Sequence, residues 1–437
     1  MTTTTTTTAT TTASTASTAT HRASAHQAAA EGPAAARTRV GPAPGPARGP
    51  VPVLWLALLA TPMAAGANAP VLILPDMARS LGVSASTAGW LVAAYAWAMA
   101  VATPLLAGLL RRRGLRVALR SAGTLLVVGT LLVAASPWLP LTLAGRATQA
   151  AGGAGLAAVA MSLAGSARRM GVISAGFGIL GACGPLLGAQ LSQAVSWRLS
   201  LSVSVIAILA VPAVSRYATA PPATPQGRFD ARGAALLAAL ATGLVLLPHA
   251  PAAALGVAVL AATLLTLHVR RRPGGFVPAA LIRKPLFLGS ALLALVLSGS
   301  YFTLLFSVPR LLADRAGWDV ATAGTGQLVA LLAGSALSWL LAAASARMSR
   351  AAVRSVLVGV GALAAATAVF ASSGPLLLAA TLGGVFAATG SNAVLSMHAV
   401  SSAPDPQRPT AIGLFALCYQ LGGAFGPAIA TALVLAA

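Results

Sequence analysis

The sequence predicts an all-α protein embedded in a membrane, with about thirteen spanning helices. Three observations carry that prediction. Only 8% of the 437 residues are charged, against roughly 25% in soluble domains. Hydrophobic residues make up 57% and the mean hydropathy is +0.85. The apolar residues fall into runs of about 20, the length a helix needs to cross the hydrocarbon core. So few charges cannot cover a soluble fold of this size, which excludes a soluble enzyme. The 28 basic residues against 6 acidic ones give a net charge of +22. The arginines flank apolar runs and build no single basic face, which excludes a nucleic-acid binder. Cys183 and Cys418 both lie inside apolar runs, so the chain has neither a disulfide framework nor a Cys/His metal site. No phosphate-cradling glycine loop is present, so ATP is not the direct energy source and no cofactor is called for.

Residues 1–50 form a separate region. Thr, Ala and Ser dominate 1–30, and Gly, Pro and Arg dominate 31–50. Too little apolar area is available there to offset ordering entropy, so a disordered, low-complexity cytoplasmic tail is expected. The Arg-containing, acid-poor composition also fits an organellar transit peptide. The predicted spans then follow in order: 53–74, 89–110, 115–136, 140–164, 171–194, 197–214, 233–248, 252–269, 286–308, 321–343, 353–371, 375–399 and 410–435. The seventh and eighth are short and separated only by Pro248-His249-Ala250-Pro251.

The positive-inside rule fixes the count and the orientation. With the N-terminus in the cytoplasm, the clusters Arg111–Arg120, Arg168-Arg169, Arg216–Arg232, Arg270–Lys284 and Arg347–Arg354 all face inward. Fusing the seventh and eighth spans would put Arg270–Lys284 outside. Two short spans are therefore expected, in the order of a six-helix half (51–216), a linker with two extra spans (217–285) and a five-span second half (286–437).

Two segments echo each other. Gly184-Pro185 with Gly181 and Gly188 in the fifth span resembles Gly426-Pro427 with Gly422 in the thirteenth. Glycines at four-residue spacing let helix backbones approach closely, and Pro bends a helix. Repetition of one element in two halves is the mark of a repeat-built transporter.

Four stretches resemble the major facilitator superfamily, and within it the fourteen-span drug/proton antiporters, including tetracycline efflux proteins. Leu74-Pro75-Asp76-Met77-Ala78, Leu81-Gly82-Val83-Ser84, Trp90 and Tyr95 resemble the family's exit from helix 1 and start of helix 2. In the loop after the second span, Leu109, Arg112, Gly114 and Arg116 fit the family's signature loop. Ala107 and Arg111 replace its first Gly and its Asp, and loss of that Asp puts the charge latch it serves in the family in question. Arg146-Ala147-Thr148-Gln149-Ala150-Ala151-Gly152 resembles the RxxQGxG stretch of the fourth span. Gly171, Gly184, Pro185 and Gly188 resemble the antiporter stretch of the fifth, and Trp197-Arg198 the opening of the sixth. Phe229-Asp230-Ala231-Arg232-Gly233 and Phe276-Val277-Pro278 resemble the segments around the inserted pair of spans in the fourteen-span class. That class carries one more span after the Gly426-Pro427 helix, so the last helix is expected to be missing here.

The resemblance implies an exporter coupled to protons, which directs attention to the acids. Glu31, Asp76, Asp230, Asp314, Asp319 and Asp405 all lie outside span centres. The fourteen-span cation exporters carry an Asp in the outer half of helix 1, and alignment on Pro75 places Gly66 there. Asp76 and His398 are the remaining proton-carrier candidates; each also reads as an interfacial residue. An intramembrane Arg is a functional-site candidate by default, although an Arg this near a helix end also snorkels. Without buried anions, a neutral, zwitterionic or anionic amphiphile suits a cavity holding Arg146. Asn68, Gln149, Tyr301, Ser391 and Asn392 are the polar cavity candidates, each either facing substrate or bridging helices. The expected protein is a monomeric inner-membrane exporter of a hydrophobic, drug-like molecule in exchange for protons. An uncoupled facilitator or uptake carrier and a transport-dead sensor or scaffold are the rivals.

Overall fold

In a computed structural model, the described residues are 50–437 except 165–166, 218–228, 248–249, 405–406, 431 and 433–437. The expected tail therefore falls almost wholly outside them, as do Pro248, His249 and Asp405. Helices dominate what is described. The first span is α1 (Val53–Ala60), α2 (Pro62–Asn68) and α3 (Pro70–Leu81). The chain bends by 58° between Asn68 and Pro70, where the sequence reading has one continuous span. Proline supplies no N–H to the preceding turn, so Pro62 and Pro70 each restart the helix rather than continue it.

After the short α4 (Ala85–Ala88), α5 (Trp90–Ala135) carries two spans, Ala85–Leu110 and Arg112–Ala135. The helical path breaks at Gly114, at the start of the second of these, where φ of 79° and ψ of 176° are open to glycine and strained for other residues. Then come α6 (Leu139–Ala164) and α7 (Ala167–Ala194). The sixth span is α8 (Trp197–Ser202), a 3₁₀ stretch (Val203–Leu209) and α9 (Ala210–Ser215). The inserted pair is α10 (Ala231–Leu246) and α11 (Pro251–Arg271). A short α12 (Ala279–Ile282) leads to α13 (Pro285–Ala316), α14 (Val320–Ala344), α15 (Arg350–Phe370) and α16 (Gly374–Gly390). A wider π turn at Ser391–Leu395 joins α16 to α17 (Ser396–Ser401), and α18 (Arg408–Ala430) follows.

Eleven helices among the described residues are long and apolar enough to span a membrane, twelve with the bent first pair. The 16-residue α10 is the short apolar helix that brings the sequence reading to thirteen. Large apolar side chains stand exposed along these helices, Phe370, Leu363 and Leu131 among them. Lipid tails rather than water satisfy such a surface, and helices satisfy their own backbone there.

The order of contacts repeats. In the first half α7 packs on α2, and in the second α18 packs on α13. Each is the fifth span of its half laid on the first. The halves meet reciprocally: α5 runs against α18, and α7 against α14. The ends of the two first spans also match. Gly82 and Gly317 close α3 and α13 in the left-handed conformation, with φ of 64° and 67°. Two residues on, Ser84 and Asp319 cap the next helix through their side chains.

Candidate functional site

Arg146 sits about two turns into α6 and is 0% exposed. Its Nη2 donates to the Gly66 carbonyl of α2 at 3.2 Å, and its Nη1 to Gln149 Oε1 at 3.2 Å. The guanidinium carbon lies 4.1 Å from the centre of the Tyr95 ring of α5. Such stacking suits a planar, weakly hydrated cation in an apolar setting. Tyr95 is held in turn by its hydroxyl donating to the Met63 carbonyl at 3.3 Å. Nε of Arg146 is buried with no hydrogen-bond partner. The snorkelling alternative is thus not the arrangement observed: the side chain points into the bundle.

Gln149 extends the network. One turn on from Arg146, it donates Nε2 to Thr130 Oγ1 at 3.1 Å and to the Leu201 carbonyl at 3.3 Å. It can sit there because α6 lies almost on the backbone of α5. A Cβ at Gly129 would collide with the Gln149 backbone nitrogen, and one at Gly152 with that of Leu126. Asn68 donates Nδ2 to the Gly181 carbonyl of α7 at 2.9 Å. Gln149 and Asn68 therefore bridge helices in this conformation.

Gly66 occupies the position where cation exporters of the resembled class carry an Asp. The structure makes its backbone oxygen an acceptor for Arg146. A Cβ there would lie 3.2 Å from Cβ of Ser204, so a carboxylate at this point would need the sixth span to give way. Among the described residues no carboxylate pairs with Arg146: Asp76 pairs with Arg79, Asp230 with His268, and Asp314 with Arg310. Asp319 accepts from the Ala321 N–H at 3.2 Å.

The small residues of α7 build the bed on which the first span lies. Gly184, Pro185 and Gly188 are buried in α7. A Cβ at Gly184 would lie 2.9 Å from the Ala65 carbonyl, and one at Gly188 would overlap that of Ala69. Gly171 also lies in α7. The echo performs the same task. A Cβ at Gly422 would strike the Leu295 carbonyl and one at Gly426 the Phe302 side chain, while Thr303 Oγ1 donates to the Gly426 carbonyl at 3.3 Å. Pro427 is buried beside them.

The second half presents a different interior. Tyr301 is buried, its ring centre 4.8 Å from that of Phe302. It belongs to an apolar cluster that joins Val71, Ile73 and Ala182 to Leu305, Phe306 and Val385 across the two halves. Ser391 and Asn392 fall in the π turn, a feature frequent at functional sites. Ser391 is buried and donates to the Ala388 carbonyl at 2.7 Å, whereas Asn392 is exposed.

The remaining candidates lie apart from Arg146. Asp76, half-exposed in α3, is engaged by Arg79 one turn on. His398 lies half-buried in α17. In the signature loop, Leu109, Gly114 and Arg116 lie within α5. Arg112 stacks on the Phe229 ring at 5.1 Å, and Phe229 meets Phe276 edge-on at 6.0 Å.

The segments around the inserted spans converge on Asp230, whose role sequence reading left unassigned. Its carboxylate accepts from the Gly233 N–H at 3.0 Å and the Phe276 N–H at 2.9 Å, and meets His268 Nε2 at 2.8 Å. Burial works to raise its pKa, but the donated hydrogen bonds from Phe276, Gly233 and His268 outweigh it, and the net shift is downward. One carboxylate thus ties the start of α10, the end of α11 and the loop after it.

Comparison with known proteins agrees with this architecture. The family profile described as Major Facilitator Superfamily matches residues 54–427. Two curated Mycobacterium tuberculosis proteins, from different strains and both named uncharacterized MFS-type transporter, are 28% identical over 311 residues. The match covers 61% of this chain and 44% of theirs, so the chain spans less than half the length of those relatives. Crystal structures of the peptide transporter POT with sulfate, and of a point mutant of that transporter with alafosfalin, superpose with a TM-score of 0.62. Each covers 90% of this chain and 91% of that one at 14% identity, a likeness of fold alone. The extent of the family match makes this chain a member of the Major Facilitator Superfamily, a multi-pass membrane protein.

Proposed function

We propose that the chain exports a hydrophobic or amphiphilic, drug-like molecule by alternating access, in exchange for protons. The observation that carries this reading is Arg146, fully buried and stacked on Tyr95, with a backbone oxygen and an amide as its acceptors. A cation held this way disfavours a cationic substrate and favours a neutral, zwitterionic or anionic one. The Gly184-Pro185-Gly188 bed beneath it supports export, by its resemblance to the fourteen-span antiporters. Asp76 and His398 are the proton carriers in this reading, and Tyr301, Ser391 and Asn392 line the path from the second half. The reading includes a 51–216 half, a 217–285 linker and a 286–437 half, a cytoplasmic N-terminus, an inner bacterial membrane and a monomer. The same lack of a carboxylate beside Arg146 favours a second reading, an uncoupled facilitator or uptake carrier.

Export from an efflux-deficient bacterial host tests the reading. Cells are loaded with tetracycline, chloramphenicol or a fluorescent cation, with and without a protonophore, beside an Arg146→Ala strain. Protonophore-sensitive, Arg146-dependent loss of an uncharged or zwitterionic compound supports it. Loss indifferent to the protonophore selects the facilitator. No loss from cells whose membranes hold the protein would sink both and leave a sensor or scaffold.

A further inference from the structure

Two fully buried side chains beside Gly66 each keep one polar atom without a hydrogen bond. Arg146 of α6 is one: Nη1 and Nη2 have acceptors, but Nε has none. Ser204, in the 3₁₀ stretch of the sixth span and 1% exposed, is the other: its Oγ is buried and unpartnered. A serine in a helix commonly gives its hydroxyl proton to a carbonyl one turn back. Ser202 does so to the Arg198 carbonyl at 2.8 Å, whereas Ser204, two residues on, does not. Gly66 joins the two orphaned groups. Arg146 Nη2 donates to its carbonyl at 3.2 Å, and a Cβ on it would lie 3.3 Å from Ser204 Oγ. A second tie runs through Gln149, which accepts from Arg146 Nη1 and donates to the carbonyl of Leu201, one turn before Ser204. The cation and the hydroxyl therefore share one corner between α2, α6 and the sixth span.

Both acceptors of Arg146 are neutral. Each aspartate among the described residues is engaged elsewhere, with Arg79, His268, Arg310 or the start of α14. A guanidinium does not give up its proton in a protein, so titration cannot relieve the charge. A buried cation without a counter-charge is costly, and buried polar atoms without partners call for one. The partner has to bring one negative charge and two acceptor atoms, one for Nε and one for the Ser204 hydroxyl. A carboxylate brings that set. A phosphate monoester carries up to two charges and would leave one unmatched. Met63, Tyr95 and Ala150 are buried together around this corner, a setting for an apolar body rather than a second polar end. Resting on the transport reading above, we infer that Arg146 and Ser204 bind the carboxylate of the transported molecule, which makes the substrate class apolar monocarboxylates. Arg146 Nε donates to one carboxylate oxygen and Ser204 Oγ to the other.

The test measures binding to the purified full-length protein in neutral detergent, which needs no transport. Aryl-alkyl carboxylates of increasing chain length are titrated by calorimetry, each beside its primary amide. At least one carboxylate should bind about tenfold or more tightly than its amide. Arg146→Gln should erase that preference. Ser204→Ala removes a single oxygen, keeps the fold, and should weaken the carboxylate about fivefold. Arg283→Gln, an exposed arginine elsewhere, should change nothing. A panel in which no carboxylate outbinds its amide overturns the proposal. So does a Ser204→Ala protein that binds the carboxylate as tightly as wild type. Export assays in cells separate the two failures. Carboxylate binding without export sinks the exporter and leaves the site standing, whereas Arg146-dependent export of neutral compounds by a protein with no carboxylate preference sinks the carboxylate site alone.

Discussion

The first and second halves share a skeleton and differ in what they keep inside it. In both, the fifth span lies on the first through glycines one turn apart, Gly184 and Gly188 over Ala65 and Ala69, and Gly422 and Gly426 over Leu295 and Phe302. Beside that common bed the first half buries Arg146, Gln149 and Asn68, all hydrogen-bonded. The second half buries Tyr301, Leu305 and Phe306. Its Gln327 donates to the Leu305 carbonyl at 3.0 Å but leaves Oε1 with no partner. The difference teaches that close packing of backbones is the repeated element, whereas polarity is placed locally. Charge concentrates in the half whose first span, restarted at Pro62 and Pro70, turns the Gly66 carbonyl toward it.

The largest effect is expected from Arg146. Arg146→Ala should lower the proposed transport rate roughly a hundredfold, or about 2.7 kcal/mol in the barrier, with a melting temperature changed far less. Arg146→Lys should restore little, because an ammonium cannot stack flat on Tyr95 while reaching Gly66 and Gln149 together. Transport at the wild-type rate in Arg146→Ala would strip the functional meaning from the contrast between a first half that buries a guanidinium and a second whose buried polar groups are neutral.

The shared bed is tested by Gly188→Val and Gly422→Val. Each introduces atoms where a backbone carbonyl already sits, and overpacking of this kind costs about 1–3 kcal/mol or more. Both should lower the melting temperature in detergent to a similar degree. A cost at one position alone would break the pseudo-symmetry as a packing statement.

Gln149→Leu and Gln327→Leu sharpen the comparison further. The first strips an acceptor from a buried cation and should cost about 1–3 kcal/mol. The second removes a side chain whose Oε1 is already unsatisfied, and should be close to neutral on the melting temperature. Equal costs would mean that the two interiors do not differ as described.

The smallest effect concerns the inserted spans. Asp230 has a lowered pKa in the folded state, so its contribution to stability is present above the unfolded value of about 3.9 and is lost as pH falls through the folded one. The melting temperature of the wild type should therefore drop on acidification below about pH 4, and Asp230→Asn should flatten that drop. An unchanged acid limb in the variant would show that other carboxylates carry it.

The spans were legible because hydrophobicity over about 20 residues is a local property that the bilayer itself demands. The same holds for α11, whereas the 16-residue α10 is too short to pass by length alone. The bend after Asn68 was not read, although Pro62 and Pro70 signal it, because hydropathy ignores backbone donors. For the candidate site, Arg146 and Gln149 stood out as polar residues in an apolar run. Their partners did not. The Gly66 carbonyl has no side chain to read, and Tyr95 looked like part of a helix-2 motif. Asp230 stands in a recognisable motif, yet its bonds to His268 and Phe276 join positions 38 and 46 residues away.

By itself the sequence determined the membrane as solvent, the order of the spans, and the repeat of Gly-Pro in two of them. Each follows from composition within one helix, where neighbours along the chain are enough. Tertiary structure alone decided which way the buried cation points and what accepts its protons. It also decided which glycines touch a carbonyl and which polar side chains bridge helices. Those are distances between segments far apart in the chain, and a helix leaves free the rotation and tilt that set them until another helix packs against it.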